Sequence, residues 1–144
     1  MKKIISIVLI AIVILALVIT FIYFKNRNTS KNTIMNEPYV KTAILKEGNG
    51  EEATNGSHIT VNYTGWLTNG TKFDSSLDRN RPLEFTLGSH EVIEGWEKGV
   101  LGMKVGEIRR LEIPPEMAYG EQDLGIIPPN SDLIFEVELL KVSK

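Results

Sequence analysis

The sequence predicts an α+β domain, a curved antiparallel sheet wrapped on one short helix, preceded by a transmembrane helix. Three observations lead there. Several β-branched, alternating stretches are separated by glycine and Asn-Gly turns. One window, Val92 to Val100, carries apolar residues at helical spacing instead. An uncharged apolar run from Ile4 to Phe24 stands near the start of the chain.

Ile4 to Phe24 is interrupted only by Ser6 and Thr20. As a helix it is long enough to cross a hydrocarbon core of roughly 30 Å. Lys2 and Lys3 precede it, and Lys25 and Arg27 follow. A cleaved signal peptide is the rival reading. It calls for a shorter apolar region ending in a small-x-small site, whereas Phe21-Ile22-Tyr23-Phe24 closes this run. Residues 1–25 are therefore read as an uncleaved signal anchor. With the short lysine-bearing flank inside, the remainder of a single-pass protein of the cell membrane lies outside the cytoplasm. Residues 26–37 are rich in Asn, Thr, Ser and Lys and form a flexible tether. Residues 38–144 form the folded domain, long enough to bury its own core.

Within that domain, Tyr39 to Lys46 alternates loosely and reads as a strand. Turn signals at Gly48-Asn49-Gly50 and Asn55-Gly56 follow. His58 to Trp66 places Ile59, Val61 and Tyr63 on one face of a second strand. Asn69-Gly70 marks a hairpin, Thr71 to Asp74 returns, and Ser75 to Pro82 is loop. Leu83 to Leu87 alternates again and Gly88 breaks it. The helix follows, with Ile93, Trp96 and Val100 at i, i+3, i+7. Gly95 and Gly99 allow a close approach of backbone or ligand beside the indole. Glu107 to Ile113 is a strand stopped by Pro114-Pro115, Glu116 to Asn130 a long loop, and Leu133 to Leu140 the closing strand.

Composition excludes much chemistry. No cysteine is present, so disulfides, thiolate metal sites and cysteine nucleophiles are ruled out. Two separated histidines, His58 and His90, do not suggest a metal site. A formal charge of −2, without a basic stripe, gives no case for nucleic acid. Phosphate-binding glycine loops, G-x-S-x-G and HExxH are absent from the sequence. Ser75 and Ser76 have no histidine base near them in sequence and read as turn formers. No cofactor is expected.

What remains is an aromatic and aliphatic set with few polar companions: Tyr63, Phe73, Phe85, Val92, Ile93, Trp96, Tyr119, Ile127 and Phe135, with Asp74 directly after Phe73. Each alone is as well explained as plain core. Together they suit a concave apolar pocket with a few oriented polar groups. Rotation about an X-Pro amide needs only such a pocket. The barrier is about 20 kcal/mol, and no covalent bond to a nucleophile is required. The twisted amide loses conjugation and charge separation, so a dry pocket favours it over the planar form that water solvates better.

Val61-Asn62-Tyr63-Thr64-Gly65, Lys72-Phe73-Asp74-Ser75-Ser76, Glu91-Val92-Ile93-Glu94-Gly95-Trp96, Ala118-Tyr119-Gly120, Gly125-Ile126-Ile127-Pro128-Pro129 and Leu133 to Leu140 occur in that order. Together they resemble the FKBP family of peptidyl-prolyl cis/trans isomerases. The resemblance implies a five- to six-stranded antiparallel sheet around one short helix, with the pocket between them. It also implies catalytic roles for Asp74, Tyr119, Ile93 and Trp96. Trp96 would be the pocket floor, Asp74 the pocket carboxylate, and the Tyr119 hydroxyl and Ile93 N–H donors to substrate carbonyls. Tyr63, Phe73, Leu83, Val92, Ile127 and Phe135 would bind substrate as walls and flap. The implied partners are proline-containing polypeptides and macrolide inhibitors.

Three departures bear on that resemblance. Leu83 stands where the best-known members carry an aromatic wall residue, which opens the pocket and weakens macrolide binding. The loop Glu121-Gln122-Asp123-Leu124 is one residue shorter and acidic. No insert lies between Leu83 and Trp96, where chaperone-type relatives carry an extra domain. The sequence thus predicts a membrane-anchored prolyl isomerase acting on secreted or membrane proteins. A non-catalytic proline-binding or chaperone module at the membrane is the alternative. The anchor has no small-xxx-small pattern, consistent with a monomer.

Overall fold

The computed structural model describes residues 17–22 and 37–143. The chain divides at Glu37/Pro38 into two units. In the first, residues 17–22 are helical. The rest of the apolar run Ile4 to Phe24, and the tether up to residue 36, lie outside the described residues. Among those described, no helix is long and apolar enough to cross a membrane.

The second unit is a six-stranded antiparallel sheet. Its strands are β1 (Lys41–Lys46), β2 (His58–Leu67), β3 (Lys72–Ser75), β4 (Leu83–Thr86), β5 (Ile108–Ile113) and β6 (Leu133–Ser143). The order is β1-β5-β6-β2-β3, with β4 also on β2. One helix, α1 (Glu94–Val100), packs on it, and a 3-10 turn, Pro115–Met117, follows β5.

The central pair is β2 with β6. Ile59, Val61, Tyr63, Gly65 and Leu67 alternate inward on β2, and Leu133, Phe135, Val137 and Leu139 on β6. A register shift at Thr60/Val61 leaves Leu140 unpaired and returns Val142 to the buried side, so the strand outruns the alternation by three residues. The edge strand β1 shows no buried side chain at all.

Two strands share one edge of β2. Thr64 to Trp66 pair with β3, and His58 to Val61 pair with β4. Between them the chain leaves the sheet as the Ser76 to Pro82 segment. Ser76, fully buried, closes the gap: its N–H donates to the Tyr63 carbonyl at 3.0 Å, and its hydroxyl accepts the Tyr63 N–H at 2.9 Å. A side chain thus completes the backbone bonding where strand pairing stops.

Helix α1 starts at Glu94. Ile93, assigned to the helix by its spacing, has an extended ψ of 150° and sits at the N-cap. The helix buries Gly95, Trp96, Gly99 and Val100. The two glycines face β5: a Cβ on Gly99 would lie 2.8 Å from Leu111 Cδ1, and one on Gly95 would collide with Ile113. The close approach they permit is therefore that of the sheet's side chains. At the other end Arg109 donates to the carbonyls of Gly99 (2.9 Å) and Leu101 (3.1 Å). Its own partner is the buried carboxylate of Glu107 at 2.7 Å. A cation there meets the open carbonyls that any helix leaves at its C-terminus.

Candidate active site

A cavity of about 430 Å³ opens between the helix and the sheet. Trp96, 3% exposed, sits amid an aromatic cluster. Its ring stands edge-on to Tyr63 (centroids 5.1 Å, 87°) and to Phe135 (5.3 Å, 86°). Phe73 meets Phe135 in the same way at 5.5 Å and 87°. Edge-to-face contacts fix ring orientation as well as adding to burial. Gly65 makes room for this wall. A Cβ there would lie 2.7 Å from Phe73 Cζ and 2.8 Å from Phe135 Cε1.

Three polar side chains join across the wall. Tyr63 donates its hydroxyl to Asp74 Oδ2, and Arg79 Nη1 donates to Asp74 Oδ1. Arg79 Nη2 closes the triangle on the Tyr63 oxygen at 3.0 Å. The Ser75 N–H gives Asp74 a third bond, to Oδ1 at 2.8 Å. Burial works to raise the Asp74 pKa. The Arg79 and Tyr63 hydrogen bonds and the Arg79 charge outweigh it, so Asp74 is held below its ordinary value. Tyr63 is pushed up, by burial first and by its bond to Asp74 next. Tyr119 is raised mainly by burial, then by the Asp74 charge. All three are therefore fixed at neutral pH: Asp74 ionised, the two phenols protonated.

Two of the residues singled out in the sequence keep an open donor at the cavity. The Tyr119 hydroxyl makes no protein hydrogen bond among the described residues, and the ring lines the cavity. Tyr119 is placed by the turn at Pro115, whose carbonyl accepts the Gly120 N–H at 2.9 Å. The Ile93 N–H likewise has no partner among the described residues, because the residue precedes the first helical turn. An aromatic-walled cavity with open donors can hold an amide and let it reorient.

Of the residues singled out in the sequence, Asp74, Tyr119, Ile93, Trp96, Tyr63, Phe73, Leu83, Val92 and Phe135 all line this cavity. Ile127 does not. It is 6% exposed within the core, while its neighbour Ile126 is 54% exposed. The Leu124 N–H to Ile127 carbonyl bond (3.1 Å) closes the loop with Ile127 turned inward. His90 and Glu91 line the cavity and were missed, although Glu91 opens one of the matching motifs. Arg79 was missed too. It lies five residues beyond Asp74 in a loop, where no periodicity marks a partner.

Fold and cavity together define the class: an α+β domain, one antiparallel sheet on one short helix, with an aromatic-walled cavity between them. Comparison with known proteins agrees. Residues 49–140 match the FKBP-type peptidyl-prolyl cis-trans isomerase family. An FK506-binding protein of Neisseria meningitidis serogroup A is 63% identical over 99 residues, covering 68% of this chain and 91% of its own length. The peptidyl-prolyl cis-trans isomerase Fkbp12 of Drosophila melanogaster is 56% identical over 105 residues, covering 72% and 97%. The crystal structure of AtFKBP13 superposes with a TM-score of 0.67 at 39% identity, covering 72% of this chain and 93% of that one. The chain belongs to the FKBP family of peptidyl-prolyl cis-trans isomerases.

Proposed function

We propose that this isomerase is held at the cell membrane by residues 4–24 and turns X-Pro bonds in secreted or membrane proteins as they fold outside the cytoplasm. The observation that carries the mechanism is the pair of open donors, Tyr119 hydroxyl and Ile93 N–H, at an aromatic-walled cavity whose Asp74 carboxylate is already paired with Arg79. The proline ring rests against Trp96, and flanking carbonyls accept from the two donors. The cavity excludes water from the amide as it twists. Water stabilises the planar, charge-separated amide, so its exclusion lowers the relative cost of the twisted one. Asp74, held by Tyr63 and Arg79, orients the wall and gives no proton.

Anchoring rests on the uncharged run Ile4 to Phe24 and its basic flanks. The test uses the full chain in its membrane. It should remain in the membrane fraction after alkaline washing, and protease added to intact spheroplasts should remove the domain. Release by alkali overturns the anchor. Protection from protease overturns the orientation. In detergent, the same chain should accelerate cis-to-trans conversion of a short X-Pro peptide. A Tyr119→Phe chain as active as the parent would remove Tyr119 from the mechanism.

A further inference from the structure

Glu97 lies on α1 directly after Trp96, and its carboxylate folds back onto the loop between β4 and α1. Oε2 accepts the Gly88 N–H at 2.6 Å, and Oε1 accepts the His90 N–H at 2.9 Å. Both residues have left-handed backbones, with φ of 90° and 60°. Glycine adopts that conformation freely, whereas a histidine stays there when its surroundings hold it. Ser89, between them, is tied as well. Its Oγ lies 2.6 Å from the Thr86 carbonyl and from Glu91 Oε1. The four residues from His90 to Ile93 then form one continuous stretch of cavity wall.

We propose that Glu97 is a positioning residue for the isomerase site. By bracketing Gly88 and His90 it sets the place of the Val92-Ile93 wall relative to Trp96, and with it the Ile93 N–H. The inference rests on the reading of that N–H as a substrate donor. A carboxylate suits the task, because one side chain offers two charge-assisted acceptors to two backbone donors. A glutamine would satisfy one donor and turn its own NH2 toward the other.

The test compares kcat/KM for an X-Pro peptide in the full-length parent, Glu97→Gln, and Glu97→Gln combined with His90→Gly. Glu97→Gln, matched to the parent in circular dichroism, should lose about ten-fold in kcat/KM, most of it in KM, because the wall binds rather than reacts. Adding His90→Gly removes the backbone strain and should recover several-fold of that loss. A merely structural role would lower the melting temperature and leave the folded protein's kcat/KM at the parent value. That result, or a loss that His90→Gly does not recover, overturns the proposal. If Glu97→Gln fails to fold, amide exchange in the parent decides: Gly88 and His90 should be protected like helix amides, and free exchange overturns the bracket. A separate arm addresses the donor. Ile93 has φ of −60°, which proline accepts, so Ile93→Pro deletes its N–H. Parent-like activity there sinks the donor reading and confines Glu97 to placing side chains of the wall.

Discussion

Asp74 lies opposite Gly65 in the β2–β3 register, yet its carboxylate reaches back to the hydroxyl of Tyr63, two residues earlier on β2. Arg79 follows on the segment that leaves the sheet between β3 and β4, and bonds to both. The break in strand pairing thus supplies the cation that keeps the cavity's carboxylate ionised.

That arrangement has a consequence for acid stability. Asp74 has a folded pKa below its ordinary 3.8. A depressed carboxylate pKa contributes stability that is fully present above the unfolded value and is lost as pH falls through the folded one. Below about pH 4 the parent should lose stability more steeply than Asp74→Asn. Thermal unfolding followed from pH 6 down to pH 2 would show this as converging curves. Parallel curves would mean that the triangle adds nothing to folding, as many exposed ion pairs do.

Tyr119→Phe deletes one hydroxyl that has no protein partner among the described residues. Folding should be nearly unaffected, within about 0.5 kcal/mol. If the hydroxyl holds a substrate carbonyl, kcat/KM should fall by about five-fold, near the worth of one hydrogen bond. Trp96→Ala is the poorer probe. Trp96 is 3% exposed, and truncating such a ring costs about 3–5 kcal/mol, a large share of a small domain's stability.

Gly65→Ala should damage the site from behind. The new Cβ would meet Phe73 Cζ at 2.7 Å and Phe135 Cε1 at 2.8 Å, so both rings must shift. Overpacking of this kind costs about 1–3 kcal/mol. Isomerisation should fall with it, since both rings line the cavity. Denaturant unfolding and the peptide assay together check this. A stable, fully active Gly65→Ala protein would mean that the wall is softer than its geometry implies.

The sequence made the sheet legible where one face is buried. Ile59, Val61 and Tyr63 alternate because β2 packs one side on the core. It was less informative where packing gives no period. Ile93 satisfies helical spacing but precedes the helix, where it takes an extended ψ of 150° at the N-cap. Ile126 and Ile127 are equally apolar, and only the loop's own hydrogen bonding decides which one turns inward. Strand β1 reads as alternating yet buries nothing, since edge position is a property of the sheet and not of the strand. Arg79 was invisible because side chains that meet across an irregular loop keep no fixed spacing.

Leu83 offers a test of how the cavity selects ligands. It is half-buried on the wall, at the start of β4, where it pairs with Val61. Its side chain is shorter than the aromatic ring that the family resemblance places there, so the wall stops short of a bulky ligand. Leu83→Phe extends that wall with a rigid ring that loses little rotamer freedom on binding. A ligand large enough to touch it, such as an FK506-like macrolide, gains apolar contact worth about 1 kcal/mol. That corresponds to about a five-fold lower Kd. If a short X-Pro peptide seats only its proline, on Trp96, its kcat/KM should change less than two-fold. Titration of tryptophan emission with the macrolide, beside the peptide assay, separates the two effects. Equal gains for both ligands would mean that Leu83 touches the proline itself. No gain for the macrolide would mean that ligand affinity is set by other parts of the wall.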